Sequence, residues 1–269
     1  MRSIRSCLIA ILAATWRAPD APKSASDFLL TAMRRNYSGC FSPKEAMKIL
    51  YLCFDPSIDL ARETGGAVHI RALIRALTDL GHDVMTTCTC VSRRPWVESQ
   101  VGGMVSPCTI ADWNGSLGNA IRGANRFLQQ RPRSYSDMVR FFHNARFFRA
   151  VAAAVRQFSP DFIYERYSLW GLAGLGAAKR CLLPFVLEVN APLVCEQQRF
   201  RGGMTCPWLA RRIERLVWRG SDLVIAVSEA LSNHLTEAVV SSALVRILPN
   251  GVDARWFMAM LRASSRGNT

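Results

Sequence analysis

Two adjacent glycines, Gly65 and Gly66, stand directly before a segment whose apolar residues repeat near helical spacing. A helix that begins there would present free N–H groups and a partial positive charge at its first turn. Glycine lets a phosphate or a sugar come close to the backbone, and it also accepts the positive φ of tight loops. The pair therefore indicates either a binding loop for an anionic or sugar ligand or a tight turn without a ligand.

Polar residues at the ends of predicted strands are the next candidates. Glu165 and Arg166 follow a strand in "IYERYS", where both could bind ligand hydroxyls or phosphate, or pair internally. Ser228 opens a predicted helix after "LVIAV" and could donate to a ligand in a cleft, although serine at that position is an ordinary N-cap. We favour the cap as the interpretation of Ser228.

Metal and redox patterns are weak in this sequence. Cys88 and Cys90 have no second pair at a zinc-like spacing, so we predict no metal site. The nine cysteines are an odd number and lie scattered, which favours a reducing, cytoplasmic compartment over a secreted disulfide framework. Four histidines lie on or beside predicted helices without partner spacing, and we interpret them as structural or surface residues: His69, His82, His143 and His234.

Alternating strand-like and helix-like segments position these residues from Met47 onward. Strands read as continuous apolar runs, which predicts an α/β fold with a doubly wound, mostly parallel sheet whose strands are buried on both faces. Ligands bind such sheets beyond the carboxyl ends of the strands, where Gly65 and Gly66 are predicted to lie. The predicted strands are 48–54, 83–89, 161–164, 185–189, 223–227 and 243–248, and the predicted helices are 67–80, 136–158, 167–180, 205–219 and 228–238.

Basic residues dominate the charge. Lys and Arg number 34 against 20 acidic residues, and the net charge of +14 indicates an anionic partner. Nucleic acid is not predicted, because no recognition motif accompanies the charge. In the predicted helix 139–158, Phe142 lies among Arg146, Arg149 and Arg156, which is typical of a helix on an anionic membrane surface. A helix packed on the sheet with a solvated basic face is the alternative.

Residues 1–46 differ from the rest of the chain. Arg2 and Arg5 precede an apolar run over 7–14 that is too short to span a bilayer, and mixed polar sequence without periodicity follows. Met47 then opens "MKILYLCF". We predict that 1–46 is a disordered extension or a misassigned start.

Five segments follow one another through residues 47–257: "MKILYLCFDPSIDLARETGGAVHIRALIRALTDLGHDV", "PDFIYERYSLWGLAGL", "LPFVLEVNAPLVCEQQRF", "ARRIERLVWRGSDLVIAVSEALSNHL" and "VRILPNGVDARWF". In this order they resemble the amino-terminal half of family-4 glycosyltransferases with the GT-B architecture. The resemblance implies one Rossmann-like domain of a pair, with the acceptor held mainly on the amino-terminal side and a nucleotide-sugar donor on the carboxyl-terminal side. It also implies transfer with retention of anomeric configuration, without a bound metal or other cofactor.

The resemblance assigns further roles. Gly65 and Gly66 would face the donor phosphates or the reacting sugar. Asn250 and Gly251 would lead into the interdomain linker, and they are also a plain turn signal. Asn190 stands where many relatives have histidine; asparagine can hydrogen-bond a sugar hydroxyl but cannot move a proton near neutral pH. The acceptor would be a glycan or a lipid-linked sugar at the inner membrane face.

The sequence departs from the family pattern after Phe257, where residues 258–269 replace a donor domain. We therefore expect this chain to be inactive by itself, as a fragment of a longer enzyme or as half of one whose donor domain is a separate chain. A non-catalytic carbohydrate- or phospholipid-binding module and an inactive gene fragment are the alternatives.

Overall fold

The computed structural model describes residues 46–108 and 133–249, except 202, 205 and 239. Asn250, Gly251, the predicted tail at 258–269 and all but the last residue of the predicted extension lie outside the described residues. In chain order the elements are β1 (Lys48–Cys53), α1 (Gly65–Asp79), β2 (Asp83–Cys88), α2 (Arg94–Val101), β3 (Met104–Pro107), α3 (Arg133–Phe158), β4 (Phe162–Arg166), α4 (Ala173–Arg180), β5 (Phe185–Val189), α5 (Leu193–Arg199), α6 (Pro207–Gly220), β6 (Leu223–Ala226), α7 (Glu229–Glu237), a 3-10 turn (Ser242–Leu244) and β7 (Val245–Ile247).

Seven strands of the described chain form one sheet in the order β3-β2-β1-β4-β5-β6-β7. Every neighbouring pair is parallel. The chain winds outward from β1 to β3 and then crosses back to β4, so the strand order reverses between β1 and β4. This is the doubly wound, Rossmann-like α/β fold that the sequence predicts, and its ligand crevice is expected at the carboxyl ends of these two strands.

The two faces of the sheet carry separate apolar clusters. Along β1, Leu50 and Leu52 join the cluster that includes Phe147 of α3, whereas Ile49 and Tyr51 join the cluster on the other face. Residues 49–53 are all at most 1% exposed. Burial on both faces explains why this strand reads as an apolar run rather than as an alternation.

Helix α1 begins two residues earlier than predicted. Its buried stripe includes Ile70, Ile74 and Leu77, and it ends before Gly81, whose φ of +88° is the left-handed conformation expected of a helix-terminating glycine. Gly65 and Gly66 are therefore its first two residues rather than the loop before it.

Three short elements were not predicted: α2, β3 and α5. Each has at most eight residues. Over so few residues, hydrophobic periodicity is hard to distinguish from loop sequence. None of them alters the strand order that the longer elements predict.

Helix α3 packs on the sheet through Phe147 and Val151, while Phe142 is 49% exposed. The predicted arginines of its outer face, Arg146, Arg149 and Arg156, are exposed. The membrane role of 139–158 stays a prediction. Among the helices of the described ranges, none combines the length and the apolar character needed to cross a membrane.

Candidate functional site

Glu188 of β5 is the centre of a polar cluster at the carboxyl edge of the sheet, although it is only 2% exposed. Its Oε1 lies 3.0 Å from Nε2 of His69 and accepts hydrogen bonds from Nη1 of Arg166 at 2.9 Å and from Nδ2 of Asn190 at 2.6 Å. Its Oε2 accepts from the hydroxyl of Tyr164 at 2.7 Å. We call these five residues the Glu188 cluster.

Three separate parts of the fold bring the Glu188 cluster together. His69 lies on the second turn of α1, Tyr164 and Arg166 share one face of β4, and Asn190 directly follows β5. The parallel register places Arg166 beside Glu188 on neighbouring strands. The ring of Tyr164 also stacks on Tyr51 of β1 at 5.3 Å between centroids, which ties the cluster to the strand that leads into α1.

The partners of Glu188 decide its charge. Burial alone would raise the pKa of this carboxyl, but the hydrogen bond and charge of His69, the charge of Arg166 and the hydroxyl of Tyr164 together lower the pKa to about 2. Glu188 is therefore ionised at neutral pH and acts as a fixed anion that orients its donors. Burial and the nearby Glu188 charge raise the pKa of Tyr164 well above its ordinary value, so Tyr164 keeps its proton.

The amino terminus of α1 adjoins this cluster. A Cβ at Gly66 would lie 3.9 Å from Nη2 of Arg166 and 3.2 Å from Cδ1 of Ile58, whereas a Cβ at Gly65 would meet no atom of the described residues within 4 Å. Neither glycine has a positive φ. Thr64, the N-cap residue, makes no side-chain capping bond within the described part of the chain, and no acidic residue lies in the first turn. Neither packing against the described residues nor backbone conformation explains Gly65, and its role in facing a ligand stays a prediction.

Glu165 lies on the opposite face of β4 from Arg166. It is 2% exposed, and its Oε2 has no hydrogen-bond partner among the described residues. A Cβ at Gly174 of α4 would collide with this carboxyl group, so glycine there makes room for it. Burial raises the pKa of Glu165 to about 8. Of the two neighbours singled out in the sequence, only Arg166 joins the Glu188 cluster, and it pairs with Glu188 rather than with Glu165.

Ser228 caps α7. Its Oγ accepts a hydrogen bond from the backbone N–H of Leu231 at 3.3 Å, which confirms the N-cap interpretation. A role for Ser228 in a cleft stays a prediction. Asn250 and Gly251, the predicted hinge residues, lie outside the described residues, so their role also stays a prediction.

Sequence reasoning missed two members of the cluster and did not connect a third, His69, with it. Glu188 and Tyr164 were not singled out, although a lone acidic residue inside the apolar run "FVLEV" was a usable signal, because a buried carboxylate needs partners. His69 was interpreted as structural. Its place four residues after Gly65 sets it one helical turn from the helix start, which pointed to the same edge of the sheet.

Metal and thiol chemistry find little support in the described ranges. No group of three His, Cys, Asp or Glu side chains there is arranged to bind a metal ion. Cys88 is buried, and burial together with the nearby Cys90 raises its pKa to about 12. The Cys88 thiol is therefore protonated at neutral pH and is a poor nucleophile or metal ligand.

Comparison with protein families matches residues 64–251 to the glycosyl transferase 4-like domain. Among solved structures, sucrose-phosphate synthase from Thermosynechococcus elongatus aligns with a TM-score of 0.53 at 14% identity, over 78% of this chain and 49% of that one. Anabaena HepE in complex with UDP and glucose aligns with a TM-score of 0.48 at 16% identity, over 81% of this chain and 50% of that one. No curated protein sequence matches.

At identities of 14–16%, the similarity to these solved structures shows a shared fold and nothing more. The chain spans about half the length of the solved structures that it matches.

Proposed function

This chain belongs to the family of glycosyl transferase 4-like domains, and on that basis we propose that it is the acceptor-side domain of a retaining, nucleotide-sugar-dependent glycosyltransferase. Paired with a donor domain, in the same or a separate chain, residues 47–257 would transfer a sugar to a glycan or lipid-linked acceptor. The observation that carries this proposal is the Glu188 cluster beside the uncapped start of α1, at the reversal of strand order.

The Glu188 cluster is suited to orient a polyhydroxyl ligand. Arg166 uses Nη1 on Glu188 and has Nη2 beside Gly66. Because Nε2 of His69 faces Glu188, Nδ1 of the same ring is left for a ligand hydroxyl, as an acceptor from a neutral ring or as a donor from a charged one. Side chains held in this way lose little freedom when a ligand binds, so more of the contact energy goes into orientation.

The start of α1 is suited to the charged part of the reaction. In the proposed transfer, the bond between the sugar anomeric carbon and the diphosphate oxygen breaks, and the nucleoside diphosphate leaves with the electron pair. The acceptor oxygen bonds to the same face of the sugar, and its proton passes to the leaving diphosphate oxygen. The N–H groups at Gly65 and Gly66, together with Arg166, would stabilise the developing negative charge.

Two residues of the Glu188 cluster do not carry the proton. Glu188, with a pKa of about 2, is too weak a base at neutral pH, and the amide of Asn190 does not titrate. We propose that both hold and orient the acceptor. A lipid-linked acceptor would be presented at the inner face of an anionic membrane; the basic outer face of 139–158 is the contact surface that the sequence alone predicts, and a second surface, described below, competes with it.

A non-catalytic module that binds carbohydrate or phospholipid is the second candidate. The same observation favours it, because the Glu188 cluster can hold a polar ligand without any donor domain. The two candidates differ only in whether transfer follows binding.

Calorimetric titration of the full chain with UDP-glucose and with a diphosphate-linked lipid disaccharide tests the binding step. Arg166→Gln is expected to weaken binding about tenfold or more, because it removes a charged hydrogen-bond donor. The control variant, Arg149→Gln on the exposed side of α3, removes the same charge and should bind both probes normally. Equal loss in both variants, or no binding of either probe, contradicts the proposal.

Transfer itself is tested by fusing a donor domain from another member of the family after residue 257 and following product formation by mass spectrometry. Product formed by the fusion but not by its Arg166→Gln variant supports the enzyme. Normal binding without product supports the binding module.

A further inference from the structure

A basic and apolar surface runs along the outside of α6. Its four arginines are exposed, Trp208 is 66% exposed and Leu216 is 56% exposed. The spacing of these residues places them on one side of the helix, over a length of about 16 Å. We call this the α6 surface, and its members are Trp208, Arg211, Arg212, Arg215, Leu216 and Arg219.

The opposite side of α6 is fixed to the core. Ile213, Val217 and Trp218 are buried there, and the carboxyl group of Glu214 accepts a hydrogen bond from the hydroxyl of Tyr167 at 2.9 Å. These contacts prevent the helix from turning its arginines inward. The one acidic residue of α6 thus points away from the α6 surface.

The charge of the α6 surface is not neutralised by the described part of the chain. None of its four arginines forms an ion pair there, and Arg211 instead donates from Nη2 to the Oε1 of Gln198 at 2.6 Å. That bond holds the end of α5 beside α6.

We propose that the α6 surface docks on the anionic face of a lipid membrane. Arginines attract anionic headgroups, while exposed tryptophan and leucine gain by entering the boundary between headgroups and acyl chains. A nucleic-acid backbone would use the arginines but gains little from an aliphatic side chain such as Leu216. This surface is separate from the Glu188 cluster, and the inference does not depend on sugar transfer.

The full chain should sediment with vesicles of phosphatidylcholine and phosphatidylglycerol, and only weakly with phosphatidylcholine alone. The double variant Arg212→Gln, Arg215→Gln should lower the partition coefficient about thirtyfold, since each arginine near an anionic surface contributes a factor of about five. Raising the salt concentration should weaken binding in parallel.

A matched pair on α3 controls for overall charge. Arg149→Gln with Arg156→Gln removes the same number of exposed arginines from the surface that the sequence predicts for membrane contact. If the α6 pair loses binding and the α3 pair retains it, the inference holds. If the α3 pair alone loses binding, if both lose it equally, or if wild type ignores the anionic vesicles, the inference is wrong.

Trp208 provides a readout that charge attraction alone would not change. Vesicles with brominated acyl chains should quench part of the tryptophan fluorescence of the wild type. The Trp208→Phe variant should still sediment with the vesicles but should lack the quenched part of the fluorescence. Quenching that is equal in the two proteins contradicts insertion of the α6 surface. Single-stranded RNA that displaces the chain from vesicles at equal phosphate concentration would overturn the lipid assignment.

Discussion

Glu165 and Glu188 lie on neighbouring strands, and both are 2% exposed, yet their surroundings are opposite. Glu188 accepts hydrogen bonds from four side chains, and its pKa is lowered to about 2. Glu165 has an oxygen without a partner in the described structure, and burial raises its pKa to about 8. The comparison shows that partners, and not depth of burial, decide whether a carboxyl group is a fixed anion or keeps its proton.

The difference also separates the two faces of the sheet. On the side of α1, the carboxylate of Glu188 orders polar side chains around the edge where a ligand is expected. On the side of α4, Gly174 makes room for a carboxyl group that touches no such network. We infer that the first face carries the function and that the second mainly packs the domain.

The largest effect is expected from Glu188→Gln. The change keeps the shape but leaves His69 and Arg166 without their buried anion, so the free energy of unfolding should fall by about 3 kcal/mol. Urea denaturation at neutral pH measures it. The matched change Glu165→Gln should cost little or even stabilise the domain. Equal losses in the two variants would mean that the cluster does not hold the fold as described.

The pH dependence of stability should have opposite signs at the two sites. Between about pH 4.5 and 8 the folded state keeps the Glu165 proton that the unfolded chain has released, so Glu165 makes stability fall as the pH rises. In wild type this effect should lower the free energy of unfolding by on the order of a few kcal/mol across the range, and Glu165→Gln should abolish that decrease. Glu188 instead contributes stability that is present above about pH 4.5 and is lost as the pH falls toward 2. Parallel profiles of unfolding free energy for wild type and Glu165→Gln, from pH 5 to 9, would contradict the assignment.

Gly174→Ala tests the space reserved for Glu165. The added methyl group would collide with its carboxyl group, and overpacking of this kind costs about 1–3 kcal/mol. Gly176→Ala on the same helix is the matched control, because its Cβ would meet only Phe148 at an ordinary 3.6 Å. Thermal unfolding of each variant, and of Gly174→Ala combined with Glu165→Ala, measures the coupling. Partial rescue is expected, because the added Cβ would also approach Cδ1 of Leu52 to 2.9 Å; no rescue at all would place the whole strain away from Glu165.

The smallest effect is expected from Ser228→Ala, which lies outside both carboxyl environments. Loss of the cap to Leu231 should reduce the free energy of unfolding by about 1 kcal/mol. Ligand binding at the Glu188 cluster should not change. A measured loss of sugar binding without loss of stability would instead support a place for Ser228 in the cleft.

The sequence predicted the fold well because long buried strands leave continuous apolar runs. The run at residues 185–189 was predicted with the bounds that the structure has. The site was harder to predict, because it depends on register between strands distant in sequence: Arg166 and Glu188 are 22 residues apart, and His69 and Glu188 are 119 apart. Glu165 and Arg166 were hard to tell apart for a related reason. Adjacent residues of a strand point to opposite faces of the sheet, and the sequence alone did not indicate which of the two lies on the face of the Glu188 cluster.

Amide NMR of the full chain with isotope-labelled glycine tests the central claim most directly, because Gly65 and Gly66 report on the proposed half-site and only 17 glycines need assignment. On titration with the diphosphate-linked lipid disaccharide, the Gly65 and Gly66 signals should shift in wild type and stay fixed in Arg166→Gln, while Gly176 and Gly220 serve as unmoved references. Shifts confined to other glycines, or unchanged by Arg166→Gln, would contradict a ligand site between α1 and the Glu188 cluster.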